Sequence, residues 1–266
     1  MRMTLASYAK IGLYAIKNHR VSEYVDLKLQ KDSDKKKSKR KAEYFEKEIT
    51  PENALERIFP NQTLNDKIFA ELENHIENFT RLKKNERRYQ SVDNPYPIEF
   101  GLGKNVCRLL YYLVKFSQPD VVVETGVANG FSSSYLLLAL DLLNKGKLIS
   151  IDYLVMPWHT REKVGQAIPQ SLKKWHEIII GNSLIEISKL KTRIKQFDIF
   201  MHDSSHTYKH MMEEYEISWP HLKNGGYLLS DDVSQNDAFL EFADKVGRQS
   251  LIIQKDDQSH FGIIQK

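Results

Sequence analysis

The feature that most constrains the fold is an alternation that runs from residue 104 to residue 246. Short apolar runs, each closed by a polar or acidic residue, are separated by stretches with helical periodicity. The runs are DVVVE (120–124), KLISID (147–152), HEIIIG (176–181), FDIFMHD (197–203) and GYLLSDD (226–232). The helical stretches around them are KNVCRLLYYLVKF, SSSYLLLALDLLN, SLIEISKLKTRI, YKHMMEEYEISWPHL and DAFLEFADKV. Uninterrupted apolar strands read as buried on both faces, and a helix after each strand returns the chain for parallel pairing. At the C-terminus the rhythm breaks. SLIIQK (250–255) and HFGIIQ (260–265) are joined by a short polar turn, too tight for a helical crossover, so the last strand must run antiparallel to its neighbour. The sequence therefore predicts an α/β fold, a doubly wound and mostly parallel seven-stranded sheet with an antiparallel C-terminal strand.

Composition changes near residue 95, which divides the chain into a helical accessory region, 1–95, on the acceptor side and a main domain, 96–266. In the first region LASYAKIGLYAI places Leu5, Tyr8, Ala9, Leu13 and Ile16 on one helical face, predicting a helix docked on the main domain. Thr50 and Pro51 read as the N-cap and first residue of a helix, and Ile68, Leu72, Ile76 and Phe79 repeat at helical spacing. The basic run from Lys31 to Lys41 reads as a solvated segment; it leaves peripheral membrane contact open, as oligomerisation is left open. Cys107 is the single cysteine, so neither an internal disulfide nor a cysteine zinc cluster is available, which suits a reducing cytoplasm. No stretch reads as a secretory leader or a membrane span. A net charge of +4 gives no case for nucleic acid.

The strand ends carry the chemistry. Glu124, Asp152, Asn182, Asp203 and Asp231 each close a strand, at the edge where open α/β sheets bind their ligands. Neighbouring strands would bring Asp203, Asp231 and Asp232 together, and three carboxylates repel unless a cation lies among them. Oxygen-only ligands favour Mg²⁺ over zinc. Successive strand residues point to opposite faces, so Asp231 and Asp232 can share an ion only where the strand has ended. The bland reading makes one aspartate a helix N-cap and leaves another exposed. His202, His206 and His210, four positions apart, are not read as a zinc site, because His202 belongs to the strand end and His210 is expected on an exposed helix face.

VVVETGVANGFSSSYLL resembles the first motif of the class I S-adenosylmethionine-dependent methyltransferases, with Gly126 and Gly130 spaced G-x-x-x-G between an acid-ended strand and a helix. The terminal antiparallel hairpin is likewise similar to their layout. The dinucleotide fingerprint fails, since Ala128 and Phe131 stand where it needs glycine. The resemblance implies S-adenosylmethionine as cofactor, with Glu124, Gly126, Gly130, Ser132, Asp152, Asn182 and Ser183 around it. Asp152 would accept ribose hydroxyls, while Asn182 and Ser183 would meet the adenine; simple N-capping is the other reading of Ser183. The run FDIFMHDSSHTYKHMMEEYEISWPHLKNGGYLLSDDV resembles the cation-dependent O-methyltransferases of glycan and natural-product modification. That likeness implies Asp203, Asp231 and Asp232 as metal ligands. In the catechol type a lysine stands three residues after the first metal aspartate; here that place holds His206, which takes the role of base.

These readings converge on a magnesium-assisted O-methyltransferase acting on a hydroxyl of a sugar, glycan or related small molecule. Two alternatives stay open: a metal-independent methyltransferase with His206 as base, and a non-catalytic S-adenosylmethionine-binding partner of glycan or membrane machinery. The segment MPWHTREKVGQAIPQSLKKW is read as a wall of the cofactor or acceptor pocket, or as a surface helix over Trp175.

Overall fold

The structure is a computed structural model and describes residues 38–85, 101–153, 161–255 and 259–266, together with Leu13. The expected first helix, most of the basic run, Trp158 and His159, and the turn at 256–258 lie outside the described residues, as does the stretch around residue 95.

The helices are α1 (Lys41–Lys47), α2 (Pro51–Ile58), α3 (Ala70–Asn85), α4 (Lys104–Ser117), α5 (Phe131–Leu143), α6 (Ser183–Arg193), α7 (Tyr208–Ser218) and α8 (Ala238–Lys245). The strands are β1 (Glu48–Ile49), β2 (Val121–Thr125), β3 (Lys147–Asp152), β4 (His176–Ile180), β5 (Phe197–His202), β6 (Leu222–Ser230), β7 (Ser250–Gln254) and β8 (His260–Gln265). They form one sheet in the order β1-β7-β8-β6-β5-β2-β3-β4. β8 runs antiparallel to both β6 and β7, and every other neighbouring pair is parallel. The seven expected strands are all present. The eighth, β1, is a two-residue strand from the N-terminal region that pairs with the outer edge of β7, an addition too short to leave a periodic signal.

The sheet separates two buried layers. On one side α4 and α5 cover Val122, Leu148, Ile199 and Leu229; on the other, Met211 and Tyr215 of α7 and Phe239 and Phe242 of α8 cover Val123, Ile149, Phe200 and Leu228. Alternate residues of one strand thus enter opposite cores, which is why these strands carry no polar face. The N-terminal helices join the first layer: Ala54 and Leu55 of α2 and Leu72 of α3 share its core, with Phe69 wedged edge-on against Tyr111 and Tyr112. Arg108 stacks 5.2 Å over Phe69 while pairing with Glu73 and Asp66, so the accessory helices are held by charge as well as by area. Thr50 caps α2 as expected, its hydroxyl accepting from the Asn53 N–H at 3.2 Å with Pro51 behind it.

Candidate active site

The glycine turn follows β2 directly. Gly126 has φ +83°, and a Cβ there would lie 1.9 Å from the carbonyl oxygen of Asp203, so only glycine lets the turn rest on that backbone. Gly130, at φ +85°, packs on the Ile168 side chain, where a Cβ would lie 2.6 Å from Cγ1. The turn is held from below by Asp152, whose Oδ2 accepts the N–H groups of Val127 and Ala128 at 2.8 and 2.9 Å. Glu124 is fully buried and receives the hydroxyls of Ser132, Ser133 and Ser150 at 3.2, 2.7 and 2.7 Å. Burial raises its carboxyl to about 7 against the opposing pull of those hydroxyls.

These contacts redistribute the expected cofactor roles. Glu124 and Ser132 are both buried at the start of α5, where the serine hydroxyl donates to the glutamate. Asp152 spends both lone pairs of Oδ2 on the turn and one of Oδ1 on the Tyr153 N–H at 2.6 Å, which leaves a single lone pair on Oδ1 for a ribose hydroxyl. Asn182 is the N-cap of α6, accepting from Leu184 and Ile185 N–H groups at 3.0 and 3.4 Å. The capping role weighed for Ser183 therefore belongs to its neighbour, while the Ser183 hydroxyl lies 3.2 Å from His210 Nε2.

Past β5 and β6 the sheet ladder continues for one residue. Asp203 N–H donates to Thr125 and Asp231 N–H donates to His202, both at 2.9 Å, which fixes the two aspartates side by side at the sheet edge. Asp203, His206 and Asp231 each offer a ligand atom, and these atoms lie within 4.8 Å of one another. His206 Nε2 is 3.6 Å from Asp203 Oδ1, and Nδ1 is 3.8 Å from Asp232 Oδ2; the buried Nε2 has no hydrogen-bond partner. The acids converge on the glycine-turn side, as expected, but His206 replaces Asp232 in the close group. Asp232 stands in a left-handed conformation, φ +51°, where the strand has ended; there it receives the Gln235 amide and the ammonium of Lys255. Burial and the neighbouring Asp231 raise Asp203 to about 8. Burial lowers His206, but Asp203 and the other acids outweigh it and raise the imidazole to about 9.

The fit of this group to magnesium is poor. Mg²⁺ selects near-octahedral oxygen ligands, whereas one donor here is an imidazole, and both Asp231 oxygens already accept from Lys255 Nζ at 2.9 Å.

Two features escaped the sequence. Lys255, at the end of β7, reaches the acids from 24 residues away in sequence, and no local pattern marks it. Glu214 of α7 lies fully buried beneath the site, accepting from His202 Nδ1 at 2.6 Å, His210 Nε2 at 2.9 Å, Thr125 Oγ1 at 2.7 Å and Ser204 Oγ at 2.9 Å. Burial pushes its carboxyl up, yet the two imidazoles prevail and hold it well below the ordinary value. His210 is thus buried, correcting its expected exposure. The i,i+4 spacing of His210 and Glu214 was the available signal.

A family model described as a methyltransferase domain matches residues 123–233. A search of curated proteins finds no match. Among solved structures, the chain is similar to the cofactor-bound Rv0187 protein from MTB, at 15% identity and TM-score 0.55 over 82% of this chain and 98% of that one. It is similar to an O-methyltransferase from Bacillus cereus solved with S-adenosylhomocysteine, at 12% identity and TM-score 0.54 over 80% and 96% of the two chains. It is also similar to the O-methyltransferase TomG from Streptomyces achromogenes, involved in tomaymycin synthesis, at 14% identity and TM-score 0.52 over 80% and 95%. Glycine turn and sheet order give this chain the fold of the methyltransferases it resembles, and residues 123–233 within that fold match a methyltransferase domain.

Proposed function

We propose that the protein transfers the methyl group of S-adenosylmethionine to a hydroxyl oxygen of a sugar, glycan or related polyol. The observation that carries this reading is the Asp203 and His206 pair at the sheet edge, with an unpartnered imidazole nitrogen and the cofactor turn packed against the Asp203 backbone. The hydroxyl oxygen attacks the sulphonium methyl carbon, the carbon–sulphur bond breaks, and S-adenosylhomocysteine departs. The hydroxyl proton passes to the Asp203 and His206 pair, leaving a methyl ether. Their raised proton affinity makes both stronger bases, available in deprotonated form toward alkaline pH. Held as a unit beside the donor, such a pair contributes ~10² to 10⁴ in rate.

The acceptor-side candidate is a cavity of about 490 Å³ between α3 and the starts of α4 and α5, walled by Ile76, Arg81, Lys104, Cys107, Phe131 and Tyr135. Its lining is mostly apolar, with the rings of Phe131 and Tyr135 to take the C–H face of an acceptor and Arg81 and Lys104 as charged donors. Cys107 is buried and unpaired, in keeping with a cytoplasmic setting.

A second reading adds a divalent ion that accepts an imidazole ligand more readily than Mg²⁺ does, held by Asp203, His206 and Asp231; the clustering of their ligand atoms within 4.8 Å favours it. It requires Lys255 to release Asp231.

The test is to incubate the full chain with methyl-labelled S-adenosylmethionine and a panel of sugars, polyols and phenols, with EDTA or with Mg²⁺, and to measure S-adenosylhomocysteine. Turnover of a hydroxyl acceptor that falls in Asp203→Asn and His206→Gln, with cofactor binding kept, supports the proposal. Cofactor binding without turnover of any acceptor would leave a non-catalytic binding protein.

A further inference from the structure

Lys255 enters the acid cluster from the end of β7, two strand positions away from β6 in the sheet. Because β7 runs parallel to β6 with β8 between them, the ends of β7 and β6 open onto the same edge. From there Lys255 Nζ lies 2.9 Å from each Asp231 oxygen and 3.0 Å from Asp232 Oδ1. An ammonium has three N–H donors, and here all three end on carboxylate oxygens. The lysine side chain is 11% exposed and the two carboxylates 5% and 16%, so little water competes for them.

We propose that Lys255 is the resident cation of this site: its ammonium holds both oxygens of Asp231, which a divalent ion shared with Asp203 and His206 would need, and methyl transfer proceeds without metal. The inference deepens the proposed reaction and rests on that reading's placement of the site. Three carboxylates meet at the sheet edge, and Lys255 offsets one of the two charges of the Asp231 and Asp232 pair just past β6. Asp203 is left facing His206, which is the arrangement a proton-accepting pair needs. An ion bound by Asp203, His206 and Asp231 would have to take Asp231 oxygens from the ammonium and then lie beside a fixed positive charge. Lys255 is therefore a positioning residue, acting on the reaction through Asp231 and Asp232.

The experiment uses Mn²⁺ alone as probe, titrated into the full chain and followed by electron paramagnetic resonance and calorimetry. The wild type is expected to bind no Mn²⁺ at millimolar concentration. Lys255→Met, shown to be folded by circular dichroism, is expected to gain Mn²⁺ affinity by at least about tenfold as Asp231 is freed, whereas Lys255→Arg keeps the exclusion. A stoichiometric micromolar Mn²⁺ site in the wild type that disappears in Asp203→Asn overturns the proposal, as does unchanged affinity in folded Lys255→Met. If Lys255→Met does not fold, the wild type and Lys255→Arg decide: exclusion by both supports the proposal, and binding by either overturns it. Cofactor binding is measured on the same samples. Its absence would refute the methyl-transfer reading, while the Mn²⁺ result would still decide the role of Lys255.

Discussion

Removing the Glu214 carboxylate should loosen the floor of the site more than any other single change in α7. In Glu214→Ala, four donors lose their acceptor at once. Thr125 and Ser204 are hydroxyls and can rotate; Thr125 already has the Met201 carbonyl at 3.5 Å. The imidazoles have no such freedom, since His202 is completely buried and its Nε2 is already without a partner. An orphaned buried donor costs about 1 to 3 kcal/mol, and breaking a buried charged network about 3 to 5 kcal/mol. The expected loss for Glu214→Ala is therefore about 3 to 5 kcal/mol, read from the midpoint of urea unfolding. At roughly 2 to 4 °C per kcal/mol for a chain of this size, Tm should fall by about 6 to 20 °C. Glu214→Gln keeps the shape and one acceptor oxygen and should lose only about 1 to 3 kcal/mol. A Glu214→Ala chain within about 1 kcal/mol of wild type, or Gln and Ala variants of equal stability, would refute the argument that this carboxylate holds the histidines.

Four further outcomes are expected. Gly126→Ala forces a methyl against the Asp203 carbonyl in a left-handed conformation, so it should cost at least about 2 kcal/mol and abolish cofactor binding measured by calorimetry. Asn182→Ala removes a helix cap and should cost about 1 kcal/mol; if calorimetry shows cofactor affinity to be unchanged, the side chain serves the helix alone. Burial holds His176 down to about 4 from 6.5, so its contribution is complete above pH 6.5 and is lost as pH falls toward 4, where the unfolded chain binds the extra proton first. Its size is at most about 3 kcal/mol, and urea titrations of His176→Gln should show a flatter pH dependence across that window. Assayed above pH 8, where Asp203 is ionised, Asp203→Asn should lose ~10² to 10⁴ in turnover while the thermal midpoint stays near or above that of wild type, because a buried carboxylate crowded by Asp231 is replaced by a neutral amide.

The strands and their order of appearance were legible because each is buried on both faces and therefore written as a short apolar word, VVVE or LISID, closed by polar or turn residues before it reaches helical length. The convergence of Asp203 and Asp231 followed from the same logic, since a parallel sheet delivers every strand end to one edge. What the sequence could not show is how acids share partners once delivered. Asp152 and Asn182 look alike as ligand seekers in one dimension, yet backbone N–H groups at the turn and at the start of α6 claim both. Lys255 was invisible for a different reason. Its meeting with Asp231 depends on the register of the last three strands, a non-local quantity that no spacing of residues records. His210 was misjudged because helical periodicity places it among polar neighbours, while the buried Glu214 one turn later makes a polar interior contact possible.

The contact between Gly126 and the Asp203 carbonyl has a consequence for how a protein of this kind can diversify. With no room for even one methyl between the glycine turn and the backbone of Asp203, the turn and the chain that bears Asp203 cannot be retuned separately. On the proposed reaction, variation in the acceptor falls to α3 and its neighbours around the cavity.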